Sequence, residues 1–208
     1  MAIFSTAYLP SISYISCLVK EQEVVIETQE TFLKQSYRTR CKVMTANDTE
    51  SLIVPVVRPN GCKSLTKDVL VDYATNWQQI HRRCIESAYR AAPYFEHYYP
   101  YFSSLYDRRY DTLLSLNETA LNAIFKALKV NYNIEYSSTY IKELTGDYRS
   151  YFHPKRPFSA ELFPPYYQVF CNKWPFRPDL SIIDLIFNEG PSALSYLRNL
   201  SISTNHEG

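Results

Sequence analysis

The sequence predicts one α/β domain that begins with a βαβ unit, carries a mixed sheet flanked by helices, and ends in a helical C-terminal half. Three observations predict it. Two short apolar runs, Ala2-Ile3-Phe4-Ser5 and Glu23-Val24-Val25-Ile26, flank a helical repeat of Ile12, Ile15, Leu18 and Val19. Two further β-rich runs, Cys41 to Met44 and Leu52 to Val57, are separated by the turn residues Asn47-Asp48. From Asn76 onward the apolar spacing becomes helical. At 208 residues the chain fits a single domain, 1–208, able to bury roughly 70% of its unfolded surface. The tail 201–208 is expected to be disordered.

The opening strand, helix and strand should form a right-handed unit with parallel strands. Pro10 suits the helix start. Ligands of such sheets sit beyond the carboxyl ends of the strands, which puts Thr6, Tyr8, Glu27 and Gln29 on one rim. Asn47-Asp48 predicts a hairpin, and Pro55 in its second run argues for an edge or a bulge. Asn76 can cap the next helix, with Trp77, Ile80, His81, Cys84 and Ala88 on one face. Pro93 ends it, and the aromatic cluster 94–102 leads into a helix spanning Asp111 to Val130, with Asn117 as a candidate break. Asn133 to Ser137 reads as a strand. Tyr148 to Trp174 reads as a long ordered loop rich in Tyr, Phe and Pro. Ser181 to Phe187 is a helix with a capping-box-like start at Ser181 and Asp184. Gly190-Pro191 stops it and opens the next short helix.

Composition narrows the function. The formal net charge is +1, which gives no basic field to hold nucleic acid. No apolar run approaches the ~20 residues of a membrane span, and the N-terminus lacks a signal-peptide pattern, so cytoplasm is the expected location. The five cysteines contain no Cys-x-x-Cys pair, and no histidines fall at ligand spacing, so neither zinc nor a disulfide framework is expected. Only four glycines occur, none close together, which excludes a Walker loop and a dinucleotide loop. No cofactor is therefore expected, and any phosphate must be held by side chains or helix N-termini. The nineteen tyrosines suit either an aromatic-lined groove or ordinary core filling.

The chemistry-bearing stretch runs from Glu27 to Arg40. Lys34, Arg38 and Arg40 sit there with Gln35 and Tyr37, a density of donors suited to an anionic or hydroxyl-rich ligand. If residues 38–40 form a strand, Arg38 and Arg40 share a face. The same cations also read as a solvated loop. His81, inward beside Trp77, is the candidate for proton transfer, because imidazole titrates near neutrality; a satisfied core histidine is the competing reading. Cys84 one turn later is poorly directed for a thiolate pair with it.

Thr6-Ala7-Tyr8-Leu9-Pro10, Lys34 through Arg40, Trp77-Gln78-Gln79-Ile80-His81, Ser87-Ala88-Tyr89 with Pro93-Tyr94-Phe95, and Leu180 through Pro191, taken in order, resemble the WbqC-like family nearly end to end. The resemblance implies a place in bacterial gene clusters for O-antigen and other surface polysaccharides, and a role in moving an amino acid such as glycine, or an acyl group, onto a sugar. It marks Tyr8, Pro10, Gln35, Arg38, Arg40, Trp77, His81, Tyr89, Tyr94 and Phe95 as pattern positions. Where longer relatives carry a His or Gln with a Pro before the Tyr-Leu-Pro turn, this chain has Ser5, Thr6 and Ala7. The expectation is a transferase with His81 as general base and a small or sugar-linked substrate against Tyr8, Glu27, Lys34, Gln35, Tyr37, Arg38, Arg40, Trp77 and Tyr94. The alternative is a glycan- or protein-binding accessory protein without catalysis.

Overall fold

The computed structural model describes residues 1–142 and 146–202; the expected tail lies outside it from residue 203 on. The chain runs β1 (Ala2–Ser5), α1 (Ile12–Leu18), β2 (Val24–Glu27), β3 (Arg40–Thr45), β4 (Asp48–Ile53), β5 (Val56–Val57), β6 (Leu70–Val71), α2 (Trp77–Tyr89), α3 (Phe95–Ser103), α4 (Leu113–Leu128), β7 (Ile134–Tyr136), α5 (Ile182–Glu189) and α6 (Ala193–Asn199). β2 lies between β1 and β7, and all three are parallel. Every residue of β1 and β2 is buried. That is why these runs are continuously apolar and do not alternate. Ser5 stands opposite Glu27, so both strands end on a polar residue at one rim.

β3 and β4 make the expected hairpin, paired from Arg40–Ile53 to Thr45–Asp48. Asp48 has φ 74, a left-handed conformation that Asp tolerates. Pro55 falls between β4 and the separate two-residue strand β5, at a point where a missing N–H interrupts pairing.

The buried stripe of α2 is Trp77, His81, Ile85, Ala88 and Tyr89. Ile80 is 60% exposed, so the inner face keeps Trp77, His81 and Ala88 of the expected one and takes in Ile85 and Tyr89 where Ile80 and Cys84 were expected. Asn76 occupies the cap position without capping; its amide donates to Gln79 instead (2.7 Å). α4 passes unbroken through Asn117, whose amide donates to the Arg38 carbonyl (2.9 Å). A polar residue sits inside a buried helix there because it satisfies a turn carbonyl.

The aromatic segment after residue 147 is ordered against β1. Phe4 and Tyr148 stack at 4.5 Å, with Phe152 on the same side. α5 begins at Ser181, but not as a capping box. The Ser181 hydroxyl donates to the Leu9 carbonyl (2.7 Å), and Asp184 accepts from Tyr166 (2.5 Å) and Gln168 (3.0 Å). Long-range partners have taken both side chains. Gly190 ends α5 at φ 50, and a Cβ there would come within 2.5 Å of the Tyr94 ring.

Gly190→Ala should therefore lower stability by about 1–3 kcal/mol beyond Gly61→Ala. Both positions carry left-handed strain, but Gly61 (φ +55) has open space around it. Urea unfolding of the two variants measures the difference.

Candidate functional site

The carboxyl ends of β1 and β2 carry a network of paired charges. Arg38 donates to Glu30 through Nε (3.0 Å), reaches it again through Nη2 (2.7 Å), and donates to Ser5 Oγ (2.7 Å). Ser5 Oγ also lies 3.2 Å from Glu30 Oε2 and from the Arg149 carbonyl. Glu27 is fully buried and accepts from the Gln29 amide (2.8 Å), Ser137 (2.6 Å) and the Ile141 amide (2.9 Å), with Arg149 Nη1 at 3.6 Å. Arg149 is spent on Asp147 and on the carbonyls of Ile141 and Lys142. Burial raises the Glu30 carboxyl above its ordinary value, and Arg38 offsets part of that rise.

Of this network Ser5, Arg38 and Arg149 line a narrow cleft, together with Thr6, Ala7, Tyr14, Tyr37, Tyr148 and Phe152. It encloses about 250 Å³ with its mouth included, and as it stands it admits little more than a water molecule. Two guanidiniums here face the carboxylates of Glu27, Glu30 and Asp147. The cleft is thus not a bare cationic clamp. It offers oriented donors over aromatic walls, which suits a hydroxyl-bearing ligand.

The three rim cations do not act together. Residues 34–39 form successive turns, with Gln35 left-handed at φ 55, so Arg38 and Arg40 do not share a strand face. Lys34 and Gln35 are exposed at the turn and Tyr37 is half-buried in the cleft wall. Arg40 opens β3 half-buried, its Nε without a partner among the described residues. Tyr94 is 39% exposed and covers Gly190.

Tyr8, Trp77 and His81 gather in a second, buried group. The Tyr8 hydroxyl lies 3.0 Å from His81 Nδ1 and 2.9 Å from the Tyr106 hydroxyl. His81 is 3% exposed, and burial pushes its pKa down to about 4. A hydrogen bond to the Ile53 backbone works weakly the other way. An imidazole that donates to a carbonyl while Nδ1 faces a phenol has its proton on Nε2 and a lone pair on Nδ1 that accepts from that phenol. The order Tyr106 to Tyr8 to His81 to Ile53 then satisfies every member. Trp77 stacks edge-on against both Tyr8 and His81. Tyr106 lies in a short 3₁₀ turn, Ser104–Tyr106, and nothing in its local sequence marks it.

The loop Thr6–Pro10 joins the two groups. Thr6 and Ala7 wall the cleft, while the Tyr8 side chain turns away from it toward His81. The Tyr8 amide donates to the Tyr37 carbonyl (2.9 Å), and Leu9 is held at φ 40. Cys84 takes no part: burial and Glu50 push its thiol up to about 11. Among the described residues no group of His, Cys, Asp and Glu is arranged to hold a metal, and no helix is long and apolar enough to cross a membrane.

A model of the WbqC-like protein family matches residues 6–151, which include the Thr6–Pro10 loop, Arg38 and His81. The uncharacterized protein Rv1507c of Mycobacterium tuberculosis (strain ATCC 25618 / H37Rv) is 25% identical over 228 aligned positions, covering 95% of this chain and 97% of that protein. No solved structure matches the chain.

Arg38→Met leaves Glu30 buried without its cation and should cost about 3–5 kcal/mol, much of it recovered in the double variant with Glu30→Gln; urea unfolding reads both. His81 gives a pH signature. Its folded pKa of about 4 lies below the ordinary 6.5, so the unfolded chain takes up the proton first. The stability it confers is present above pH 6.5 and is lost as pH falls toward 4. Asp184, raised by burial to about 6, acts in the opposite sense, adding stability as pH falls from about 6 to its ordinary 3.8. Unfolding free energies at pH 7 and 5 should show that loss shrinking in His81→Gln and growing in Asp184→Asn.

Proposed function

This chain belongs to the WbqC-like protein family, and on that premise we propose that it is a transferase that moves an aminoacyl group such as glycyl, or another acyl group, onto a sugar in the assembly of a bacterial surface polysaccharide. The observation that carries the proposal is the neutral His81 imidazole, with Nδ1 directed at the Tyr8 hydroxyl behind the rim of the parallel strands. In this reading the sugar lies against the aromatic walls of the cleft, near Tyr37 and the Arg38 guanidinium. Lys34 and Gln35, exposed on the adjoining turn, meet the charged part of the donor. Glu27 acts by fixing Arg149. The attacking hydroxyl or amine bonds to the donor's acyl carbon as its proton passes to Tyr8 and the Tyr8 proton to His81 Nδ1; the bond from the acyl carbon to the donor's leaving group then breaks, and the imidazolium held by the Ile53 backbone returns the proton through Tyr8 to that departing group. For substrate to meet that phenol, the loop must part from Tyr37, and the bond that yields is the one from the Tyr8 amide to the Tyr37 carbonyl (2.9 Å).

The rim ion pairs favour the second reading, a glycan-binding accessory protein. Their guanidiniums are already engaged, so they orient a ligand without supplying free charge. The two readings separate when the protein is incubated with nucleotide-sugars and with aminoacyl or acyl donors and the sugar is weighed by mass spectrometry. The transferase reading expects a sugar heavier by the acyl group. It also expects turnover to fall about 10²–10⁴-fold in His81→Ala and in the better-packed His81→Gln. Saturable binding with no product supports the accessory reading, and full turnover in both variants removes His81 from the mechanism.

A further inference from the structure

A second hollow lies on the outer face of α2. Asn76, Gln79, Arg83 and Glu86 line it at intervals of three and four residues, so they follow one stripe of the helix, with Gln78 and Arg82 on the stripe beside it. The lining residue from elsewhere in the chain is Tyr106. A helix face is convex by itself. This one is enclosed because Arg82 donates to the Ser103 carbonyl (3.0 Å) and pairs with Asp107, on either side of the 3₁₀ turn Ser104–Tyr106, and so holds that turn against α2. The hollow measures about 720 Å³ with its mouth included, and about 390 Å³ of it is open to water. That is the size of a small-ligand site, whereas the rim cleft admits little more than one water molecule.

Its charges balance. Asp107 neutralises Arg82, and Glu86, which accepts from the Tyr99 hydroxyl (2.6 Å), offsets Arg83. The Asn76 amide donates to Gln79 (2.7 Å), and the Gln78 amide donates to the Arg108 carbonyl (2.6 Å). The side-chain carbonyls of Asn76 and Gln78 are left to accept, and the Gln79 amide and the Arg83 guanidinium to donate, without partners among the described residues. Tyr106 turns its hydroxyl inward to Tyr8 (2.9 Å), so it presents ring to the hollow. An anion could use only the donors of this set. A sugar hydroxyl both donates and accepts, and the apolar face of a sugar ring suits the phenol. We infer that this hollow binds a neutral sugar, held by the side-chain amides of Asn76, Gln78 and Gln79 and by Arg83, against Tyr106. The inference goes beyond both readings above, which seat their ligand at the rim cleft, and it holds whichever of them is right.

The test is a titration of nitrogen-15-labelled protein, followed by NMR, with glucose, galactose, mannose and N-acetylglucosamine in turn, and with glycerol and inorganic phosphate as controls. The site predicts saturable shifts of the Gln78 and Gln79 side-chain amides with at least one of the sugars and with neither control. Gln79→Leu and Arg83→Met, both checked for intact folding by circular dichroism, should each weaken that binding about tenfold or more. The site is overturned if none of the four sugars gives saturable shifts, or if glycerol or phosphate reproduces them. Shifts confined to Thr6, Ala7 and Tyr37 at the rim, or binding undiminished in both variants, overturn it equally. Sugar binding at the hollow with no product in the mass measurement counts against the transferase reading alone.

Discussion

The hydrogen bond from the Tyr8 hydroxyl to His81 Nδ1 is the contact on which the arrangement of this molecule turns. The chain leaving β1 must reverse into α1 within six residues, and it does so through a left-handed Leu9. That conformation costs roughly 1–2 kcal/mol for a residue with a side chain. It persists because both ends of the loop are tied to distant parts of the chain. Tyr8 is pinned by His81 and Tyr106, and the Leu9 carbonyl is held by Ser181. One short loop therefore connects the rim of the parallel sheet, the buried face of α2 and the start of α5.

This coupling gives the two polar groups different characters. At the rim, charges are neutralised pairwise: Arg38 by Glu30, Arg149 by Asp147 and Glu27. Buried pairs of this kind add little net stability, but losing either partner is expensive, so they fix geometry. Among the described residues no counter-charge shifts His81. Burial keeps the ring neutral, with Nδ1 unprotonated and accepting from Tyr8, at the expense of basicity. A rigid, charge-paired rim beside a neutral, aromatic-enclosed acceptor is the arrangement from which the proposed transferase reading starts.

Much of this fold was legible in sequence because periodicity reports burial directly. The continuous apolar runs of β1 and β2, the Asn47-Asp48 turn, the strand at 134–136 and the Gly190-Pro191 stop follow from local rules. What was not legible is where polar side chains find partners far along the chain. Ser181 has the composition of a cap, yet the Leu9 carbonyl claims it. Asn117 looks like a helix break until the Arg38 carbonyl appears above it. Lys34, Arg38 and Arg40 look like one cation cluster, and the left-handed Gln35 and the turns around it send them to three environments. Arg149 reaches Ser5 from 144 residues away, and Tyr106 reaches Tyr8 from 98, distances across which spacing carries no signal.

The claim that a buried phenol holds His81 as a neutral acceptor is tested most directly by nitrogen-15 NMR of the histidine side chains across pH. The account predicts one imidazole with distinct ring nitrogens, protonated at Nε2 and bare at Nδ1, that stays neutral until the pH approaches about 4 and becomes exchange-averaged in Tyr8→Phe. A His81 that titrates near 6.5 with its tautomers averaged, and that ignores the loss of the Tyr8 hydroxyl, would contradict it.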